Sequence, residues 1–375
     1  MLKGAIKLFT IKGIEIRLDY SWFIIFALVT LSLALGYFPM QYPDWPTAIY
    51  WVLSIVTSIL FFLSVLLHEL AHSFVAISRG MKVPRITLFI FGGAAQIADE
   101  PESALDELFM AAMGPITSVI IGIICAGLWY LFDSQGITPL SALFGWLAII
   151  NVMLAVFNLI PGFPLDGGRV LRSMIWGATR DMAKATKIAA SVGRGVAFTF
   201  ILIGVLLLFS GNAFNGIWLA FIGWFLLQAA TQSSRQQILR TLLSGHTAGE
   251  VMWTDCPMID PDTKVSDLVH KQMLHTGRRC FPVLDNDSVS GIVTIHNVKS
   301  IDPEKWGDEP VRSIMIPAEE LKTVTPETPL PEVMQLLSSD GVNQVPVVKD
   351  GDFQGMVTRE GIMDFMRTKT DLGLE

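Results

Sequence analysis

The chain is 375 residues long, 51% hydrophobic and only 16% charged, with a formal net charge of −7. A soluble domain carries about 25% charged residues, and a mean hydropathy of +0.51 leaves more apolar side chain than a water-soluble core can hide. Disordered, collagenous and disulfide-rich secreted chains are excluded on the same figures, so the sequence reads as a membrane protein.

Charge divides unevenly along the chain. Residues 1–240 carry 15 Lys and Arg against 12 Asp and Glu, while residues 241–375 carry 12 against 22. An apolar, slightly basic portion is therefore followed by an acidic, soluble tail. That tail excludes nucleic acid as a partner, because phosphate binding needs clustered positive charge. The three cysteines, Cys125, Cys256 and Cys280, form no C-x-x-C pair and no disulfide framework.

Residues 1–20 are mixed polar and lack an Ala-x-Ala cleavage site, so the first apolar run is expected to stay as a span. Apolar runs near the ~20 residues that a bilayer requires fall at 21–38, 48–77, 104–132, 140–159, 196–209 and 217–230. The second would be about 45 Å long as a helix and must tilt or project beyond the lipid. Within residues 1–240, Lys and Arg occur only at 3–17, 79–85, 169–194 and 235–240, and the turns at 39–47, 133–139 and 210–215 contain none. Six spans place every basic cluster on one side, which by the positive-inside rule makes both termini cytoplasmic. Between spans two and three, residues 83–98 are rich in β-branched and aromatic side chains around Gly92 and Gly93. They read as a membrane-associated β-hairpin or a re-entrant segment, because a lone strand cannot sit unpaired in lipid.

Near the cytoplasmic end of span two stands His68-Glu69-Leu70-Ala71-His72. Positions i and i+4 share one helix face, so both imidazoles can reach one metal ion. A carboxylate beside them suits a general base toward a water that zinc activates. They are the only histidines in residues 1–240, and ionisable groups inside a membrane are costly enough to be functional by default. A catalytic zinc also wants a third protein ligand. The strong acid within reach is Asp166, in the run Asn-Leu-Ile-Pro-Gly-Phe-Pro-Leu-Asp-Gly-Gly-Arg at 158–169. Five Pro and Gly residues there predict a break in the backbone at the membrane edge.

These residues carry a resemblance. His68-Glu-x-x-His72 in a span, followed about 90 residues later by Asn158-x-x-Pro161 and Leu165-Asp166-Gly167-Gly168, is similar to the site-2 protease family of intramembrane zinc metalloproteases. Phe91-Gly92-Gly93 and Ala112-Met113-Gly114-Pro115 also resemble family segments. The resemblance implies one Zn²⁺ per chain on His68, His72 and Asp166, with Glu69 activating water. It also implies that Asn158 holds the substrate peptide or the developing oxyanion. Segment 83–98 would offer an edge strand to an unwound substrate. Cleavage is then expected near the cytoplasmic face of a membrane-anchored protein, at helix-weakening residues.

The tail contains an internal repeat. Val251-Met252 matches Ile314-Met315, Phe281-Pro282-Val283 matches Val345-Pro346-Val347, and Gly291 to Thr294 matches Gly355 to Thr358. Helical stretches at 264–275 and 330–338 precede the strands. The repeat resembles a tandem CBS pair, which implies adenine-nucleotide contacts at Thr294 and Thr358. Where such copies usually place Asp three residues after Thr, this chain has Asn297 and Gly361. Two readings therefore stay open: a nucleotide site, or a ligand-free docking module through which the chain forms a homodimer. His270, His275 and His296 are expected to be ordinary surface residues, and His246 part of a linker.

The expected fold is a polytopic α-helical membrane protein of about six spans with a membrane-associated β-hairpin, plus a cytoplasmic α/β tandem CBS module. The boundaries are 1–235 for the protease domain, 236–246 for the linker, 247–300 for the first CBS copy and 311–367 for the second. The expected function is that of an intramembrane zinc endopeptidase of the cell membrane, cutting membrane-anchored proteins and regulated by its tail. The alternative is a CBS-regulated transporter or metal-efflux protein, which would need polar residues spread over more spans.

Overall fold

The computed structural model describes residues 5–97, 101–243, 245–285, 288–339, 343–350 and 352–372. It divides into two compact units, Met1–Gln237 and Ile238–Glu375.

The first unit opens with strands that local pattern does not reveal. β1 (Ala5–Ile11) and β2 (Ile14–Asp19) form an antiparallel hairpin within the stretch read as mixed polar. β2 then pairs in parallel with β3 (Arg85–Phe89), which turns back into β4 (Gly92–Gln96). The expected hairpin is thus half of a four-stranded sheet of order β1-β2-β3-β4, with β4 at one edge. Residue Ala98 of the expected segment lies outside the described residues.

Among the described residues, six helices have the length and apolar composition to cross a membrane. In the first, α1 (Tyr20–Ser32) continues through a π-helical turn at Leu33–Tyr37 into α2 (Phe38–Gln41). α3 (Thr47–Ser78), α4 (Ala104–Ser134) and α5 (Thr138–Asn158) follow. α7 (Met182–Phe209) and α8 (Ala213–Leu243) complete the set. Caps set several helix starts: Asp19 accepts from the Ser21 amide, Ser103 from that of Asp106, and Asp181 from that of Lys184.

One expectation is corrected here. The fifth span begins at Met182, not near residue 196. Lys184 and Lys187 break the apolar window but lie on the exposed face, while Ala185, Ala189, Ala190 and Gly193 form a buried stripe that continues the helix. The break expected within 158–169 falls at residues 159–165, after α5, and a short helix, α6 (Asp166–Thr179), starts at the aspartate. Its Gly167 and Gly168 lie against the preceding loop, where an added Cβ would come within 2.3 Å of the Leu159 carbonyl oxygen and of the Gly162 carbonyl carbon. These glycines serve a close approach between helix and loop rather than a turn.

A buried cluster joins sheet and helices through Ile14, Ile16, Ile86 and Leu88 on one side and Val65, Leu66, Leu70 and Met110 on the other. It fixes the sheet beside the part of α3 that carries the histidines.

The second unit is built as two copies that exchange their leading segments. The first copy contributes β5 (Cys280–Asp285) and β6 (Ser288–Thr294), preceded by α10 (Val265–Asp267), a π-helical stretch at Leu268–Met273 and α11 (Leu274–Thr276). The second contributes α13 (Leu330–Ser339), β8 (Gln344–Lys349), β9 (Asp352–Thr358) and α14 (Arg359–Asp371). α12 (Ile295–Lys299) follows β6. β7 (Ile316–Pro317), at the head of the second copy, pairs with β6 of the first. Reciprocally, Trp253 bonds Met356 of β9 in both directions, and α9 (Ala248–Val251) buries Ala248 and Val251 in the second copy's core. Val311 and Ile314 lie in the first copy's core. His246, expected as linker, meets the ring of Phe365 edge to face and bonds Glu250 and Lys369 within this unit.

Candidate active site

α3 presents His68 and His72 on one buried face, with ring centroids 4.9 Å apart. α6 brings Asp166 to them from 94 residues further along the chain. Its Oδ2 lies 3.1 Å from His68 Nε2 and 3.2 Å from His72 Nε2, and one ligand atom from each residue lies within 4.8 Å of the other two.

The other ring nitrogens are occupied. His72 Nδ1 is 2.6 Å from the Met110 carbonyl oxygen, and His68 Nδ1 is 2.9 Å from Ser118 Oγ. A carbonyl only accepts, so His72 carries a proton on Nδ1. With both Nε2 atoms deprotonated, two imidazole lone pairs and a carboxylate oxygen would face one point, an arrangement that a cation satisfies. Ligand atoms about 2.05 Å from a tetrahedral zinc lie roughly 3.4 Å apart, close to the spacings seen. The donor set, two imidazoles and one carboxylate, is one that zinc accepts.

α4 keeps this space open. A Cβ on Gly114 would lie 2.1 Å from His72 Nε2 and 2.6 Å from His68 Nε2, so only glycine leaves room in front of both donor atoms. Gly93 in β4 does the same for Glu69, whose Cγ would be 2.4 Å from an added Cβ. The edge strand therefore lies directly against this group.

Asn158 ends α5, half-buried, with its amide donating to the Leu154 carbonyl at 3.0 Å. In the second unit, Thr294 donates from its hydroxyl to Asn297 Oδ1 at 2.5 Å in a capping box at the start of α12. Thr358 accepts from the Gly361 amide at 2.9 Å at the start of α14. Sequence reasoning did not single out Ser118, the Met110 carbonyl or the glutamate–arginine pair Glu107–Arg172, which are described below. The available signal was polar residues at helical spacing inside an apolar span.

Residues 56–138 and 130–202 match Peptidase family M50, and residues 248–303 and 311–368 match the CBS domain. A candidate zinc metalloprotease of Synechocystis is 32% identical over 372 residues, covering 98% of this chain and 97% of that one. A zinc metalloprotease of Methanocaldococcus jannaschii is 31% identical over 362 residues, 96% of each chain. Among solved structures, a site-2 protease from Methanocaldococcus jannaschii is 36% identical and covers 62% of this chain and 95% of that one, with a TM-score of 0.41.

The class is therefore a multi-pass intramembrane metalloprotease, a hydrolase of peptide bonds. The chain belongs to peptidase family M50, in a form that carries two CBS domains. The transporter alternative is set aside.

Proposed function

We propose that His68, His72 and Asp166 hold one catalytic zinc, and that the site hydrolyses peptide bonds in or near the transmembrane segments of membrane-anchored proteins. The observation that carries the reading is the convergence of His68 Nε2, His72 Nε2 and Asp166 Oδ2. Bound there, zinc would acidify water and polarise the scissile carbonyl. Glu69 takes the proton from the attacking water and returns it to the leaving amine. Asn158 holds the substrate peptide or the developing oxyanion. An unwound substrate pairs with the free edge of β4, which runs past Glu69.

Both termini face the cytoplasm in this reading, because every basic connection falls on one side, and the membrane we propose is that of the cell. The CBS module regulates access or assembly, with an adenine nucleotide near Thr294 and Thr358 or a homodimer contact as its means. The hydroxyls of both threonines sit at helix N-termini, where phosphate is favoured.

The test is zinc per chain in detergent-solubilised protein, together with cleavage of a membrane-anchored reporter. About one zinc in wild type and in Glu69→Gln, with loss in His68→Ala and Asp166→Ala and no cleavage by Glu69→Gln, supports the reading. Full zinc in Asp166→Ala refutes the ligand set. Calorimetric titration with AMP and ATP, in wild type and in Thr294→Ala/Thr358→Ala, tests the nucleotide.

A further inference from the structure

α4 touches the site at more than one point. Glu107, Met110, Gly114 and Ser118 recur at intervals of three, four and four, so they fall within an arc of about 80° on one face. Met110 and Ser118 orient the histidines, and Gly114 leaves space before them. The fourth member of the stripe, Glu107, touches neither histidine. It is fully buried, and its Oε1 accepts from Arg172 Nε at 2.7 Å and from Arg172 Nη2. Its Oε2 is buried with no hydrogen-bond partner among the described residues.

Arg172 belongs to α6, six residues and about 9 Å along the helix from Asp166. It is itself buried, and its guanidinium lies over the ring of Phe163, 5.3 Å from the centroid, in the loop that leads into α6. One arginine therefore ties the helix bearing the carboxylate, and the loop before it, to the helix that holds the imidazoles.

From this geometry we infer that Glu107 and Arg172 are positioning residues for Asp166, setting the carboxylate at the distance from His68 and His72 that a shared metal requires. The inference rests on the zinc reading of the three ligands. A buried ion pair adds little net stability compared with apolar side chains of the same volume. A pair kept inside a membrane domain, with one carboxylate oxygen unpaired, is better explained by where it holds α6 than by how strongly it holds the fold. At the first turn of α6, Gly167 and Gly168 set the helix closely against the preceding loop, and the Glu107–Arg172 pair fixes it about one and a half turns further on.

The experiment uses the full chain in detergent and compares wild type, His68→Ala, Arg172→Met, Arg172→Lys and the double variant Glu107→Leu/Arg172→Met. Zinc affinity is read by chelator competition, ligand geometry by the visible absorption of the Co²⁺-loaded protein, and folding by cooperative thermal unfolding. The double variant is expected to unfold like wild type but to bind zinc about 10- to 100-fold more weakly, with a changed Co²⁺ spectrum. Arg172→Lys, which keeps one charge-assisted bond, is expected to recover part of the loss. A folded double variant with wild-type affinity and spectrum would overturn the proposal. So would a double variant that does not fold, since the pair would then be a folding element. Failure of wild type to bind zinc, or retention by His68→Ala, would instead strike at the zinc reading itself.

Discussion

Gly114→Ala separates folding from metal binding more sharply than removal of a ligand does. The added Cβ would stand 2.1 Å from His72 Nε2 and 2.6 Å from His68 Nε2, where carbon–nitrogen contacts need about 3.4 Å. The overlap is thus about 1.3 Å at one ring and 0.8 Å at the other. Neither ring can swing away without giving up a partner: the Met110 carbonyl for His72, Ser118 for His68. Each lost bond costs about 1 kcal/mol, and overpacking a tight site adds about 1–3 kcal/mol. Against that, Ala is favoured over Gly inside a helix by about 1 kcal/mol. With both bonds lost, the net change in stability is then about 2–4 kcal/mol, which a domain of this size survives. Zinc affinity, by contrast, should fall at least as far as on loss of an outer partner, about 10- to 100-fold, because the methyl stands before both donor atoms. The assays are zinc content at a fixed chelator concentration and the thermal unfolding midpoint, measured on the same preparation. A Gly114→Ala protein that binds zinc and cleaves substrate like wild type would refute the placement of the metal between these rings.

Other consequences are more local. Ser118→Ala leaves His68 Nδ1 without its partner and should weaken zinc binding by about 10-fold, read by the same competition, while Ser118→Thr, which keeps the hydroxyl, should recover it. Gly93→Ala pushes on Glu69 Cγ at 2.4 Å and should lower turnover by about 10-fold or more with zinc content unchanged; equal turnover would show that the carboxylate is free to move. Hydrogen bonds from Lys7 and then Arg17 hold the exposed Glu15 carboxyl at about 2, below its ordinary 4.5. Its folded-state value is depressed, so its small contribution to stability is complete above about pH 4.5 and fades as pH falls toward 2. Glu15→Gln should therefore flatten the acid side of the unfolding curve, and an unchanged curve would remove Glu15 from that account.

What the sequence disclosed follows from the range of the interactions involved. His68 and His72 lie one helical turn apart, so their shared face is a local property that spacing alone reports. Asp166 is different: its partners are 94 and 98 residues away, so spacing reports nothing, and only the need for a third ligand and the resemblance to a family pointed to it. Gly167 and Gly168 let α6 approach the 159–163 backbone, a contact that no local pattern reports. β1 and β2 were invisible for a similar reason. β2 finds its partner β3 in parallel across some 70 residues, and no periodicity within residues 5–19 announces it. The start of α7 was set too late because an apolar window counts Lys184 and Lys187 as breaks. A 3.6-residue pattern of small buried residues runs through them.

The exchange of leading segments in the second unit bears on how the two copies hold together. Val311 is fully buried and Ile314 nearly so in the first copy's core, while Ala248 and Val251 occupy the second's. Burying a Val or Ile side chain contributes about 1.5–3 kcal/mol, so residues 248–303 produced alone forgo about 3–6 kcal/mol by losing Val311 and Ile314. They also lose the β6–β7 pairing at Gly291 and Ile292. Residues 311–368 produced alone lose Val251, Ala248 and the paired bonds between Trp253 and Met356, about 2–4 kcal/mol on the same scale. Small domains keep only about 5–15 kcal/mol in total, so each copy alone should be largely unfolded or close to its midpoint at 25 °C. The pair should unfold in one cooperative step. Urea unfolding followed by circular dichroism checks this with three fragments: 248–303, 311–368 and 238–375. If either copy alone unfolds cooperatively at the same urea midpoint as the pair, the exchanged residues contribute little. The copies would then be independent domains that merely touch. If only the pair folds, a ligand bound by either copy must act on both, because neither core is complete without the other's leading segment.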